Sequence, residues 1–209
     1  MISTLLLASA LGQTAPVETA GDYFPTQPGW KWTYREEMGA TAAEVVDVAK
    51  GERDQVGRKV MVFETTIRGA SQGEISYLLT DRDVMITWIS GTEPLATPYT
   101  VFQIPGASGS TSWTFDGPVP TDPTMIERLQ LKGTAKKIGK IEVLDRGAVE
   151  AVEVTLDMTL GTGDIGTKVV QVAVYGKGIG LVSMRETARI GRQSSERRRT
   201  LTALSTPQT

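Results

Sequence analysis

Apolar residues recur at every second position along much of this chain, and the pattern is clearest from Val149 to Ala188. Within that stretch one run of apolar residues alternates with charged and hydroxyl side chains: Val152, Val154, Leu156, Met158 and Leu160. A period-two pattern predicts a β-strand with one buried face. Glycine-rich interruptions at 161–166 and 176–178 predict tight turns between three antiparallel strands, because glycine tolerates a positive φ. The residues expected to be buried there include Val154, Leu156, Met158, Val170, Val172 and Val174.

The same alternation continues in short segments along the chain. Further strands are predicted at 41–50, 58–68, 74–80, 84–89, 124–137, 140–144 and 200–204. Turn-forming compositions separate several of them, at 51–54, 69–73 and 81–83. Short strands at regular spacing are typical of an all-β sheet or barrel.

Between residues 90 and 122 the composition shifts to glycine, proline, serine and threonine. Only 99–104 and 113–115 keep a strand-like pattern, so long loops are expected here. Two interpretations remain open. Either loops that carry Trp113, Phe115 and the proline-rich run 118–123 cover one mouth of the sheet as a lid, or the region is a structural crossover without a ligand.

An aromatic strand follows the turn at Pro28-Gly29. Its residues Trp30, Trp32 and Tyr34 fall on one face, and the residues between them are polar or charged. The aromatic face can be explained as part of the core, since large aromatic side chains dominate core burial. The alternative is the aromatic floor of a ligand site.

Two motifs open and close the predicted domain. The first runs from Tyr23-Phe24-Pro25 through Pro28-Gly29 to Trp32-Thr33-Tyr34, and the second is Y-G-K-G-I-G-L-V at 175–182. In these motifs the chain resembles a broad group of uncharacterised secreted bacterial β-rich proteins, although Trp30 replaces the more usual polar residue after Gly29. The resemblance implies a strongly curved antiparallel sheet, similar to the half-barrels of lipoprotein-carrier-like proteins, and it implies no activity.

Pattern and resemblance together define the expected fold. We predict an all-β, mostly antiparallel protein with little helix, in which a single strongly curved sheet forms a half-barrel or an open barrel. One antiparallel β domain is expected to span residues 21–205, after a signal peptide and linker at 1–20.

The composition excludes several kinds of catalytic and metal-binding site. The 209 residues include no cysteine, histidine or asparagine, which removes thiol nucleophiles, histidine bases, haem ligation through histidine and the usual zinc sites. The chain has no Gly-x-Ser-x-Gly elbow and no phosphate-binding loop, and its 24 acidic residues show no catalytic spacing. We therefore expect no enzyme activity, no cofactor and no metal site.

The segment 189–199 carries five arginines and one glutamate. It is expected to be a solvated strand edge that discourages aggregation, and the alternative is a contact with phosphate or sugar anions. No aromatic residue interleaves with the arginines, so the stacking platform for single-stranded nucleic acid is missing. The net charge of −2 adds no bias toward nucleic acid.

The N-terminus has the features of an export signal. A short apolar run leads to Ala8 and Ala10, the A-x-A arrangement of a signal-peptidase site. The alternative is a disordered or strand-forming N-terminus. The run is much shorter than the ~20 residues that span a bilayer, so no integral membrane segment is expected, and the location is expected to be periplasmic or secreted.

Two functions from different classes fit these observations. The first is a non-catalytic cell-envelope binding or carrier module that holds an apolar or amphiphilic, lipid-like ligand on a concave sheet. Its candidate ligand-binding residues are Trp30, Trp32, Tyr34, Trp113 and Phe115. The alternative is an envelope protein with a self-filled core that has a structural role or contacts another envelope protein.

We predict that export removes roughly the first ten to twenty residues, because the apolar run ends in a signal-peptidase pattern. The intact mass of the protein isolated from its native host measures this. A mature chain that retains Met1 would contradict the prediction.

Overall fold

The computed structural model describes residues 17–122, 125–161 and 166–207. Over these ranges the chain forms twelve β-strands in one antiparallel sheet and two short 3-10 helices, at Ala20–Tyr23 and Leu144–Arg146. The strands are β1 (Lys31–Met38), β2 (Thr41–Gln55), β3 (Arg58–Ile67), β4 (Ala70–Leu79), β5 (Asp83–Ile89), β6 (Tyr99–Gln103), β7 (Ser110–Asp122), β8 (Met125–Glu142), β9 (Ala148–Leu160), β10 (Thr167–Gly176), β11 (Gly180–Ile190) and β12 (Gln193–Ser205). The predicted all-β fold with little helix is confirmed.

The strand order forces the sheet to curl. It runs β6-β5-β4-β3-β2-β1-β12-β11-β10-β9-β8-β7, so consecutive strands β6 and β7 lie at opposite edges. In a flat sheet those edges would be roughly 50 Å apart, at about 4.8 Å per strand. The link at 104–109 spans at most about 25 Å even when fully extended. The sheet therefore closes on itself until its two edges are neighbours.

Side chains join the two edges in a seam between β6 and β7. The indole Nε1 of Trp113 donates to the carbonyl oxygen of Thr100 at 2.9 Å, and the hydroxyl of Thr111 donates to Oε1 of Gln103 at 2.6 Å. No backbone ladder joins these two strands in the part of the chain that is described. The result is a nearly closed, barrel-shaped sheet.

The N-terminal segment 17–30 closes one end of this barrel, which we call the plugged end. The backbone N–H of Ala20 donates at 2.8 Å to the carbonyl of Asp81, in the turn between β4 and β5. The backbone N–H of Gly178, in the turn between β10 and β11, donates at 2.6 Å to the carbonyl of Asp22. The segment is thus fastened to turns from both halves of the sheet.

Glu18 adds an ionic clamp to the plugged end. Its carboxylate accepts hydrogen bonds from Lys137 at 2.6 Å, Tyr23 at 2.7 Å and Lys177 at 3.2 Å. Burial alone would raise the pKa of Glu18, but these three hydrogen bonds outweigh it and lower the pKa to about 2. Residues 18–20, expected to be linker, therefore pack against the sheet, whereas residues 1–16, which include the expected signal peptide, lie outside the described residues.

Two turns differ from their predicted positions. The turn after β2 is at Val56-Gly57, beyond the predicted 51–54, and the turn after β3 is at Arg68-Gly69, at the start of the predicted 69–73. Gly51 and Gly73 have φ values of 94° and 106°, and the strand registers shift beside both. These glycines serve β-bulges inside strands, which need positive φ as turns do.

The predicted loop region between residues 90 and 122 contains a long strand. β7 continues through Pro118 and Pro120 and pairs with β8 alone. The prolines are tolerated because they lie on an edge strand, where the missing N–H groups need not serve a neighbour. The lid interpretation of the run 118–123 is therefore wrong, since residues 118–122 belong to the wall of the barrel.

β10 presents the opposite face from the one predicted. Its residues Gln171 and Ala173 pair with the buried Leu156 and Val154 of β9, and directly paired residues share a face. Val170 is 42% exposed. The prediction that Val170, Val172 and Val174 are buried is wrong, because valine occurs on both faces of this strand and periodicity alone does not select one.

We predict that Glu18→Gln destabilises the protein in a pH-dependent way. The lowered pKa of Glu18 means that its ionised form contributes stability above its ordinary pKa of 4.5, and that this contribution is lost as the pH falls toward about 2. The difference in free energy of unfolding between wild type and variant should be largest near pH 7 and shrink below about pH 4. Denaturant unfolding at several pH values measures it, with the exposed Glu142→Gln as control. A difference that does not change with pH would contradict the ionic clamp.

Candidate functional site

The barrel interior contains a cavity of about 350 Å³. Seven aromatic side chains line it: Phe24, Trp32, Tyr34, Phe63, Tyr77, Tyr99 and Tyr175. Aliphatic residues such as Leu156, Met158 and Met184 fill the spaces between them. The volume lies within the range of about 300–1,000 Å³ typical of small-molecule sites.

Phe24 forms the floor of the cavity at the plugged end. Its ring contacts Phe63 edge-on at 5.4 Å and Tyr77 at 5.1 Å between centroids, and it lies 6.2 Å from Tyr175. Phe63 and Tyr77 also meet edge-on at 5.5 Å. Edge-to-face pairs of this kind stabilise a fixed arrangement of rings. The N-terminal segment and two halves of the sheet thus build one rigid apolar floor.

A buried ionic network lies on the wall farther from the plugged end. Strand pairing places Glu36 opposite Arg199, about 13 Å beyond Trp32 along β1. Arg199 donates through Nε and Nη2 to Oε2 of Glu36 at 3.0 and 2.7 Å, and through Nη1 to Oδ2 of Asp47 at 3.3 Å. The side chains of Arg199 and Glu36 are only 13% and 9% exposed. Such burial is tolerated because each charge is paired and hydrogen-bonded.

Two further charges extend the network. Nη2 of Arg197 lies 2.9 Å from Oε2 of Glu186, and Nη1 of Arg197 lies 3.9 Å from Oε2 of Glu36. Burial raises the pKa of Asp47, although Arg199 and a hydrogen bond from Thr65 oppose this effect. Burial alone would lower the pKa of Arg199, but Asp47 and Glu36 outweigh it and raise that pKa. The guanidinium also lies 5.4 Å from the ring centre of Tyr34, as in a cation–π contact.

The structure corrects the prediction for the basic segment 189–199. β12 is not an edge strand, because it lies between β1 and β11. Arg197 and Arg199 face the interior, while Arg198 between them is exposed. Sequence reasoning missed this network because its members on β1 and β2 are separated from Arg199 by 163 and 152 residues. The three consecutive arginines 197–199 gave no local signal, because they do not show which face of the strand is inward.

Two of the five predicted ligand-binding residues lie in the cavity wall. Trp32 donates its indole N–H to the carbonyl of Ile179 at 2.6 Å, and the Tyr34 hydroxyl donates to the carbonyl of Leu181 at 3.2 Å. These bonds fix both rings. Trp30 does not line the cavity, and its ring centre lies 5.6 Å from that of Trp32.

The last two predicted residues, Trp113 and Phe115, lie at the seam between β6 and β7. A Cβ at position 133 would collide with the indole of Trp113, so glycine lets this ring lie flat against β8. Phe115 packs against Tyr99, with 5.6 Å between ring centres. The structure therefore brings Trp32 and Tyr34 together at the cavity and leaves Trp30, Trp113 and Phe115 around it.

Three cavity tyrosines were not predicted as site residues: Tyr77, Tyr99 and Tyr175. Burial raises the pKa of each, to about 12 for Tyr99 and Tyr175. Their hydroxyls thus stay protonated at neutral pH and remain able to donate hydrogen bonds. Each is an aromatic residue at an inward-facing position of a strand. This pattern could have identified them as site residues, but only once the inward face of the strand was known.

No other type of site is evident over the described ranges. These residues include no group of three or more acidic side chains arranged to hold a metal ion. They also contain no helix with the length and apolar composition needed to cross a membrane.

Comparison with known proteins identifies similar folds only. No protein-family model matches the chain, and no curated protein is significantly similar to it in sequence. Similar solved structures include a putative lipoprotein from Parabacteroides distasonis, with a TM-score of 0.56 and 9% identity over 88% of this chain and 98% of that one. A putative exported protein with a YmcC-like fold from Bacteroides fragilis has a TM-score of 0.45 and 11% identity, over 87% and 98% of the two chains. The first similarity shows a shared fold.

We predict that Arg199→Ala lowers the free energy of unfolding by about 3–5 kcal/mol, because it leaves Glu36 and Asp47 buried without a counter-charge. The neighbouring Arg198 is the matched control, since its side chain is 61% exposed. Arg198→Ala should cost less than about 0.5 kcal/mol. Denaturant unfolding of both variants measures this, and equal losses would show that the network contributes no more than a surface pair.

Proposed function

We propose that this protein is a non-catalytic binding or carrier module of the cell envelope that holds an apolar or amphiphilic small molecule inside its barrel. The observation that carries the proposal is the aromatic-lined cavity of about 350 Å³. Protein interiors are normally close-packed, with few voids larger than a water molecule. A space of this size favours a bound molecule over a self-filled core.

The distribution of side chains suits an amphiphile. At the floor, Phe24, Phe63 and Tyr77 offer an apolar surface, and its burial against a lipid-like chain is favourable by about 25 cal/mol per Å². Farther along the wall, Asp47 and Arg199 border the same space. An apolar chain directed toward the floor therefore leaves its polar end beside polar side chains.

Two observations support a location in the envelope. The first is the export-type N-terminus with its pattern at Ala8 and Ala10. The second is the description of the Parabacteroides distasonis protein, which shares the fold, as a putative lipoprotein. A carrier in this compartment meets lipid-like molecules that need shielding from water.

A second candidate function is contact with another envelope protein. It is favoured by exposed apolar side chains at the hairpin ends away from the plugged end. Met38, Ile126 and Ile190 are 52%, 74% and 59% exposed. Such residues are suited to a protein interface.

Tryptophan emission tests the proposed function. We predict a saturable shift on titration with methyl dodecanoate, dodecanoate or dodecyltrimethylammonium, each below its aggregation concentration. The shift should be lost in Trp32→Phe, because this ring lines the cavity, and retained in Trp88→Phe, whose indole donates instead to Thr92. Circular dichroism confirms that each variant is folded. If none of the three probes binds and native mass spectrometry shows only the bare protein, the protein-contact function is preferred.

A further inference from the structure

The charged groups on the cavity wall are already satisfied by one another. Arg199 uses Nε, Nη1 and Nη2 to bind Glu36 and Asp47. The other oxygen of Asp47 accepts a hydrogen bond from Thr65 at 2.6 Å. The guanidinium and the carboxylate that line the cavity are therefore already paired with opposite charges, and neither is an uncompensated charge waiting for a charged ligand.

The network also carries an excess of acid. It joins three carboxylates, Glu36, Asp47 and Glu186, to two guanidiniums, Arg197 and Arg199. With every group ionised the network has a net charge of −1, and a ligand carboxylate would add a further negative charge in a poorly solvated space. Like charges at close range are unfavourable there, because the effective dielectric constant is low. The buried Nε of Arg197 has no partner among the described residues, but Arg197 does not line the cavity.

Four uncharged polar side chains of the wall, in contrast, have no hydrogen-bond partner among the described residues. Tyr77, Tyr99, Tyr175 and Gln171 line the cavity. The three tyrosine hydroxyls and the glutamine amide form no hydrogen bond with any other residue that the structure describes. Within those residues, the fully buried side-chain polar atoms without a partner are Ser76 Oγ and Arg197 Nε. The tyrosine oxygens are therefore not fully sealed in protein, and all three tyrosines line the cavity. A partner that accepts their hydrogen bonds would remove the cost of leaving them unpaired.

We propose that the cavity selects an amphiphile whose polar group is uncharged and accepts hydrogen bonds, such as a fatty ester or an acylglycerol, and discriminates against free fatty acids. This inference rests on the proposed function and specifies the ligand class of the same cavity. The apolar chain lies against the Phe24 floor, and the ester oxygens accept hydrogen bonds from the tyrosine hydroxyls. The ionic network holds β12, β1 and β2 in register and repels an anionic head group.

The first test compares two probes that differ in one group. Binding of methyl dodecanoate and of dodecanoate is measured at pH 8, where dodecanoate is ionised, by the emission of Trp32 in the full chain. We expect the ester to bind at least about tenfold more tightly, since tenfold corresponds to about 1.4 kcal/mol. Dodecanoate binding as tightly as the ester, or more tightly, would overturn the inference while leaving the proposed function in place. Failure of both probes and of dodecyltrimethylammonium would overturn the proposed function and the inference with it.

The second test removes single hydroxyl groups. Tyr77→Phe and Tyr175→Phe keep the rings that form the wall and delete the free donors, so we expect stability to be unchanged and affinity for methyl dodecanoate to fall about threefold to tenfold. Tyr23→Phe is the matched control, because its hydroxyl binds Glu18 and the ring does not line the cavity. It should lose stability and retain affinity. Unchanged affinity in both cavity variants would show that the hydroxyls do not contact the ligand and would overturn the inference.

Discussion

The short link between β6 and β7 is the constraint on which the rest of this structure depends. It requires the two edges of a twelve-stranded sheet to meet, and the width of a closed sheet increases with the number of strands. Barrels of about eight strands have interiors that side chains just fill or that hold one small ligand. A wider sheet leaves more interior than aliphatic side chains can occupy. Large aromatic rings and the inserted Phe24 fill part of that volume, and the cavity is what remains.

The pairing of the first strand with the last fixes the polar side of the cavity. Arg199 reaches Glu36 and Asp47 only in the observed register of β12, β1 and β2. A slip by one residue would turn Arg199 outward. It would place opposite Glu36 either the uncharged Thr200 or Arg198, and with Arg198 there Glu196 would take the place of Arg197. A buried ionic network is weak evidence for stability. Its value here is that incorrect registers of the central strands become unfavourable.

The sequence predicted where strands lie better than it predicted which strands are neighbours in the sheet. Alternation located β9 and β11 and the aromatic face with Trp32 and Tyr34, because a half-buried strand has a local pattern. It did not identify β7, since Pro118 and Pro120 are compatible with a strand only at an edge, and edges are a property of the whole sheet. It assigned the wrong face to β10, where valine occupies both faces. The cavity itself was not predictable, because Tyr77 and Tyr175 come from separate halves of the chain and meet only when the barrel closes.

The plug at the end of the barrel has a consequence for how the chain folds. Phe24 lies near the N-terminus, yet its partners include Tyr175, and the adjacent Asp22 carbonyl is bound by Gly178. The floor therefore cannot be completed until most of the polypeptide has left the ribosome. Contacts between such distant parts of a chain form slowly, because loop closure must precede them. The plugged end thus stays open until residues 175–178 are available, and the N-terminal half of the sheet stays incompletely packed until then.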